Sequence, residues 1–241
     1  MIQEGQQRTL DWFRQRMGCF TGSKISDLMK AGRKKDEPWS ETAKSYMAQI
    51  AGERLFTPDL LADDEAFEGY VQQTSVSSKA IQWGIDNEDA AKRIFMATYH
   101  PDKQLDEVET CTHDTIPHFA ASPDGILRNA DGQGNDFILE VKCPSIGVYV
   151  QYRAAIHDAA TLKAVKPEYY WQMMAEMACS GTRAGIFIVY CPWLSDMHTA
   201  LILRDDDDTT LMEQRITAAN AYVDALMERC TAQQEEGGTQ P

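Results

Sequence analysis

Residues 122–142 read SPDGILRNADGQGNDFILEVK. Strands are expected near 124–129 and 136–143. The Asp131-Gly132 and Gly134-Asn135 pairs between them are hairpin-turn chemistry. Side chains on a strand alternate faces, so Glu140 and Lys142 point the same way while Val141 turns to the other side, into the core. If the chain reverses near 131–134, Asp124 lies almost opposite Glu140 on the neighbouring strand. Phe137, Ile138, Leu139 and Val141 make 136–143 a core strand. A charged residue on such a strand needs a partner or a purpose.

Two carboxylates that close repel each other, and a divalent cation relieves the repulsion. Hard oxygen ligands suit magnesium or manganese, and the Val141 carbonyl can join them. The ammonium of Lys142 would stand about 6–7 Å along the strand, two strand rises away. Such a site serves phosphodiester hydrolysis: metal lowers the pKa of a bound water and neutralises charge on the leaving oxygen. A surface Glu-x-Lys pair on an exposed strand is the other reading of the same residues.

Outward from this stretch, the first hundred residues read as mostly helical. Residues 5–16 carry Leu10, Trp12 and Phe13, and a short helix follows Thr21 or Ser23 as N-cap. Residues 31–39 form a polar loop in which Arg33-Lys34-Lys35 and Trp39 suggest phosphate contact and base stacking, or simply a solvated loop. Ser40 caps a helix through about Gly52. Residues 57–76 are acidic and weakly patterned, which predicts a surface loop or insertion. Ser78 opens a helix to about Tyr99, with Ile81, Ile85, Ala91 and Phe95 as its core stripe. Strands are expected near 105–112 and 117–121, before the hairpin. After it come helices at 146–159 and 167–180, a buried strand at 186–190, a second strand at 198–203, and a helix over 208–230. The tail at 232–241 is expected to be flexible. The sum is one α/β domain over 1–241: a restriction-endonuclease-like core in which a central mixed β-sheet is flanked by helices, with a helical N-terminal part.

The net charge of −14, from 23 basic and 37 acidic residues, argues against a non-specific DNA coat. It leaves room for a local basic channel within an acidic exterior. The six cysteines are scattered without a C-x-x-C pair, which argues against zinc or iron–sulfur sites. No apolar run is long enough to span a membrane, and no apolar signal core opens the chain. The expectation is a cytoplasmic protein.

The pattern Pro123-Asp124…Glu140-Val141-Lys142 resembles the PD-(D/E)xK nuclease superfamily. Beside Glu140-Val141-Lys142, four segments resemble one branch of it, the phage lambda exonuclease and YqaJ-type viral recombinase family. They are Trp12-x-x-x-Arg16-x-x-x-x-Thr21-x-Ser23, Gly84-x-x-x-Glu88-x-x-Ala91, Ser122-Pro-Asp124-Gly125 and Tyr169-x-x-Gln172, in the family's order. The resemblance implies that Asp124, Glu140 and the Val141 carbonyl hold metal, and that Glu88 serves a second metal or its water. It gives Lys142 the role of catalytic lysine. It assigns Arg16, Ser23, Ser122 and Gln172 to the 5′-phosphate of the digested strand, a role that suits a permanently charged planar fork flanked by hydroxyl and amide donors. Singly, these residues have plainer readings: a surface arginine, a capping serine, a solvated glutamate, a core-edge amide. The family often carries a second glutamine two residues after the first, where this chain has Met174; Glu176 stands nearby.

The implied activity is a 5′-to-3′ exonuclease that digests one strand of linear double-stranded DNA and leaves 3′ single-stranded tails for recombination. The resemblance also implies two Mg2+ ions, replaceable by Mn2+, a ring-shaped homotrimer, and a single-strand annealing protein as partner. The alternatives are a nicking or structure-selective endonuclease of the same superfamily and a non-catalytic DNA-end-binding relative.

Overall fold

The computed structural model describes residues 2–4, 7–34, 36–74, 78–128 and 136–237. The N-terminal part runs β1 (Ile2–Glu4), α1 (Leu10–Arg16), β2 (Phe20–Thr21), a 3-10 turn (Gly22–Lys24), α2 (Ile25–Met29), α3 (Glu41–Arg54), α4 (Pro58–Ala62), α5 (Asp64–Thr74) and α6 (Lys79–Tyr99). Strands follow: β3 (Leu105–Asp106), β4 (Val108–Thr112), β5 (Phe119–Ala121), β6 (Gly125–Leu127) and β7 (Phe137–Lys142). The chain then makes α7 (Ile146–Ala155), α8 (Ala159–Val165), α9 (Pro167–Ser180), β8 (Ala184–Cys191), a 3-10 turn (Pro192–Leu194), β9 (Asp196–Leu203) and α10 (Asp206–Gly237). Ser40 and Ser78 cap α3 and α6 as the sequence predicts, each hydroxyl accepting a backbone N–H at 3.1 Å.

The fold is α/β, with a mixed five-stranded sheet of order β3-β6-β7-β8-β9 flanked by helices. β6 and β7 pair antiparallel with Gly125 opposite Leu139, so the register carries Asp124 opposite Glu140; the Asp124 N–H donates to the Leu139 carbonyl at 3.0 Å. The dipeptides expected to turn this hairpin lie outside the described residues. β7 and β8 are parallel, and α7, α8 and α9 form the crossover between them. β7 therefore lies inside the sheet with both faces covered. Leu139, Val141 and Cys143 pack with Ala91 and Phe95 of α6, while Ile138 packs with the large core that includes Met173 of α9.

A second sheet, of order β1-β4-β5-β2, departs from the expectation of one sheet. The run expected at 105–112 splits at Glu107: Leu105 and Asp106 pair with β6, whereas Val108 onward pairs with β1 and β5. Alternation assigns each residue a face but names no partner strand. β1 and the two-residue β2 carry too short a pattern to be read.

α9 lies between the two sheets and is buried almost all round, through Tyr170, Trp171, Met173, Met174, Ala175, Met177 and Cys179. Pro167 opens it and Gly181, at φ 73°, ends it in the left-handed conformation.

Residues 57–76 form no surface loop over their described part. They make α4 and α5, with Thr57 capping α4 and Phe67 fully buried beneath the Arg14 guanidinium. Phe67 is the one fully buried side chain of α5, and periodicity cannot register a single anchor. Trp39 is not available for base stacking: it is 8% exposed under Arg215, 4.6 Å away. Ile81 leaves the expected α6 core stripe and is 45% exposed. α10 continues to Gly237, well into the expected tail. Among the described residues no helix is long and apolar enough to cross a membrane.

Candidate active site

One hollow of about 200 Å³ is lined by all nine residues that the family resemblance assigned to the metal, the catalysis or the phosphate: Asp124, Glu140, Val141, Lys142, Glu88, Arg16, Ser23, Ser122 and Gln172. They come from six separate stretches: α1, the 3-10 turn after β2, α6, the link between β5 and β6 that carries Ser122 and Asp124, β7, and α9.

At one end are the acids. The Asp124 Oδ2 accepts the Val141 N–H at 2.7 Å, which fixes the carboxylate across the top of β7. Burial, then the negative charges of Glu140 and Glu88, raise the Asp124 pKa well above the carboxylate range, against the pull of Lys142 and the Val141 N–H. Glu140 is 0% exposed, and its Oε1 touches the Lys142 ammonium. Among the described residues its Oε2 has no hydrogen-bond partner. Lys142 stands 4.9 Å from the Tyr169 ring. Burial lowers the Lys142 pKa, but the charges of Glu140 and Asp124 outweigh burial and hold it above the ordinary lysine value. Glu88 enters from α6, bound by Arg8 at 2.9 Å and Lys92 at 3.3 Å.

At the other end is Arg16. Its Nη1 donates to the Ser122 Oγ at 2.6 Å, and its guanidinium lies 4.3 Å over the Trp12 ring. The Trp12 Nε1 donates to the same hydroxyl at 3.1 Å, so Ser122 is held from two sides. Burial draws the Arg16 pKa down to about 10, yet among the described residues no carboxylate forms an ion pair with it. Ser23 sits exposed on the 3-10 turn. Neither Thr21 nor Ser23 caps the helix that follows, which leaves the Ser23 hydroxyl open to the hollow. That turn lies against α9 and β5: a Cβ on Gly22 would come within 3.2 Å of the Ala121 methyl.

The YqaJ-like viral recombinase domain matches residues 11–183. The chain belongs to that family. Among solved structures, an alkaline exonuclease from Laribacter hongkongensis (LHK-Exo) is 25% identical, with a TM-score of 0.71 over 95% of this chain and 99% of that one. The same enzyme in complex with dAMP is also 25% identical, with a TM-score of 0.72 and the same coverage. A phage-related exonuclease from Haemophilus somnus 129PT shares the fold at 17% identity, with a TM-score of 0.63 over 88% and 96% of the two chains. No curated protein matches the chain.

The place where the chain departs from the family's glutamine pair has a geometric answer. Met174, two residues after Gln172, is fully buried in the core. A helix brings residues four apart onto one face, and Glu176 takes that position in the hollow. The Gln172 Nε2 donates to the Glu176 Oε1 at 2.9 Å. Glu176 is 1% exposed; burial, then the charges of Glu140 and Asp124, raise its pKa well above the usual range. Its membership was legible in the i, i+4 spacing from Gln172. Arg8, which also lines the hollow, lies before the matched residues and had no motif to mark it.

The acid end suits a hard divalent cation. Two facing carboxylates, one with an unsatisfied buried oxygen, and the adjacent Val141 carbonyl are oxygen donors of the right class. Among the described residues no three acidic, histidine or cysteine side chains already converge as a cage. Magnesium keeps several waters and takes only one or two protein carboxylates, so two facing acids are enough.

Proposed function

We propose that this chain is a magnesium-dependent exonuclease that digests one strand of linear double-stranded DNA from its 5′ end and leaves 3′ single-stranded tails. Family membership and the LHK-Exo likeness support a DNA exonuclease role. The observation that carries the finer reading is the opposed character of one small hollow. Its acid end gathers Asp124, Glu140 and Glu88 and leaves a buried Glu140 oxygen without a hydrogen bond, while at its other end, among the described residues, no carboxylate forms an ion pair with the buried Arg16 guanidinium.

Asp124, Glu140 and the Val141 carbonyl would hold the metal, with Glu88 serving a second ion or its water; Mn2+ would substitute. When bound, the metal supplies an acidified water and charge neutralisation at the phosphate. Lys142, charged at neutral pH, would steady the attacking water or the charge that develops on the phosphate oxygens. Arg16, Ser122, Ser23 and Gln172 would hold the terminal 5′-phosphate. A terminal phosphate carries more charge than an internal one, so the pocket selects chain ends. The complex of LHK-Exo with dAMP, a nucleoside monophosphate, is consistent with a site of this class in the family. A ring-shaped homotrimer and a single-strand annealing partner belong to the same proposal. A single mass in solution equal to one chain at all concentrations would remove the ring.

Digestion of end-labelled linear and closed circular duplex with Mg2+ tests the reading. We expect loss of 5′ label as mononucleotide from linear DNA and no attack on circles. Cleavage of circles would make the chain an endonuclease. No cleavage of either would leave a DNA-end binder.

A further inference from the structure

The nuclease reading leaves Arg8 without a task, yet three clefts meet at its side chain. They are the hollow itself, a cleft of about 390 Å³ beside Glu88 and Lys92, and a groove of about 470 Å³ running behind Lys142. Arg8 adopts φ 69°, a left-handed conformation that is strained for a residue bearing a side chain. The segment is held in that shape by Gln7, whose Nε2 donates to the Val108 carbonyl at 3.0 Å and the Pro123 carbonyl at 2.8 Å. The strain thus aims one guanidinium at one carboxylate.

Both oxygens of that carboxylate are engaged. Glu88 Oε2 takes Arg8 and Oε1 takes Lys92. A carboxylate already neutralised by two cations holds a third cation or its water more weakly, because the three positive charges compete for it. The two cations differ in how easily they leave. Lys92 sits on the same helix as Glu88 and is 13% exposed, with the Asp124 carbonyl 3.5 Å from its ammonium. Arg8 reaches in from outside the helix and is 43% exposed.

We propose that Arg8 is an exchangeable counter-ion. It pairs with Glu88 while the acid end lacks metal, and passes to a phosphate of the bound strand when Glu88 turns to the metal. This rests on the chain being a metal-dependent nuclease. A strand running from the groove behind Lys142 towards Arg16 crosses the place where Arg8 stands, and a planar fork released from a carboxylate matches a phosphate.

Two measurements without turnover test the exchange, on Arg8→Ala and Arg8→Gln. Mn2+ alone, titrated by electron paramagnetic resonance, should bind about two- to fivefold tighter than to the wild type, the scale of a half-exposed ion pair. The effect should vanish in a Glu88→Gln background. Arg183→Ala, which breaks the exposed Arg183–Asp206 pair at the far end of β7 and β8, should leave Mn2+ affinity unchanged and so exclude a general charge effect. With calcium in place of magnesium, the affinity of both Arg8 variants for 5′-phosphorylated duplex should fall about three- to tenfold, and its salt slope by about one. Both changes together support the exchange. Either alone, or neither, overturns it, because an arginine that only paired Glu88 would move metal affinity alone, and one that only touched DNA would move DNA affinity alone. Wild-type cleavage of linear duplex is followed in parallel. If the wild type cleaves while the variants match it in both titrations, the exchange fails; if the wild type neither binds nor cleaves duplex, the nuclease reading has failed.

Discussion

The acid end and the arginine end of the hollow are built in opposite ways. Asp124, Glu140 and Lys142 ride on a strand pair inside a five-stranded sheet, each fixed by ladder geometry and, for Asp124, by the Val141 N–H. Arg16, Ser23 and Gln172 come from a short helix, a 3-10 turn and a long buried helix, and tertiary packing alone brings them together. The acid end concentrates carboxylates: Lys142 pairs Glu140, Arg8 and Lys92 pair Glu88, and the charges of Glu140 and Glu88 still press on Asp124. The arginine end keeps a buried guanidinium whose contacts are a hydroxyl and an aromatic face. The two ends are therefore opposite in sign, and under the proposed function a metal would complete one and a phosphate the other.

The largest effect is expected where the acid end is neutralised without loss of shape. Asp124→Asn keeps an acceptor for the Val141 N–H and removes a charge pressed against Glu140 and Glu88. Cleavage of linear duplex should fall by at least about 10²–10³-fold, as should that of Lys142→Ala. In chelator the Asn variant should melt higher than the wild type, because the like-charge repulsion is gone. Added Mg2+ should then raise its melting temperature less than it raises the wild type's. An Asn variant that melts lower in chelator would mean that the acids are not in conflict, and the contrast between the two ends would collapse.

The arginine end should respond in selectivity more than in chemistry. Arg16→Ala should lower the rate on 5′-phosphorylated duplex about 10- to 100-fold, a loss of about 1.4–3 kcal/mol, typical of a charge-assisted contact. The rate on 5′-hydroxyl duplex should barely move, so the preference for a phosphorylated end disappears. Arg16→Lys should restore only part of it, since a point charge does not reproduce the fork. Equal wild-type rates on the two substrates would remove the phosphate role.

The two ends also differ in how far the sequence revealed them. Strand periodicity alone sets Glu140 and Lys142 on one face, and a turn near 131–134 sets Asp124 opposite, so the strand-borne part of the acid end could be derived from spacing, while Glu88 came only from the family motif. No spacing connects Arg16, Ser23 and Gln172. Only the ordered family motifs proposed that they meet, and the hollow brings them together. The helices capped by Ser40 and Ser78 were readable because a cap is a local hydrogen bond. The division into two sheets, the helices over 58–74 and the burial of Trp39 under Arg215 were not, because each depends on a partner distant in sequence. Arg8 was missed for the same reason: its partner, Glu88, lies on another element.

Glu176 belongs to both ends, through Gln172 on one side and Glu140 on the other, and its substitution should have the smallest effect. Its folded pKa is raised, by burial first and then by Glu140 and Asp124. An acid whose pKa is raised on folding contributes stability that is fully present below the unfolded carboxylate value and is lost as pH climbs through the folded value. Glutamine fills the same volume and does not titrate. In chelator, Glu176→Gln and the wild type should therefore melt together near pH 4 and separate as pH rises. By pH 8 the variant should be roughly 2–4 °C higher, the shift that about 1 kcal/mol gives a chain of this size. Cleavage should drop only about two- to fivefold, because Gln172 would keep an amide oxygen as acceptor for its Nε2. A variant that gains nothing at high pH would show that Glu176 is ionised and satisfied in the folded chain. The negative charge of the acid end would then reach across to Gln172, and the two ends could not be treated as opposite in sign.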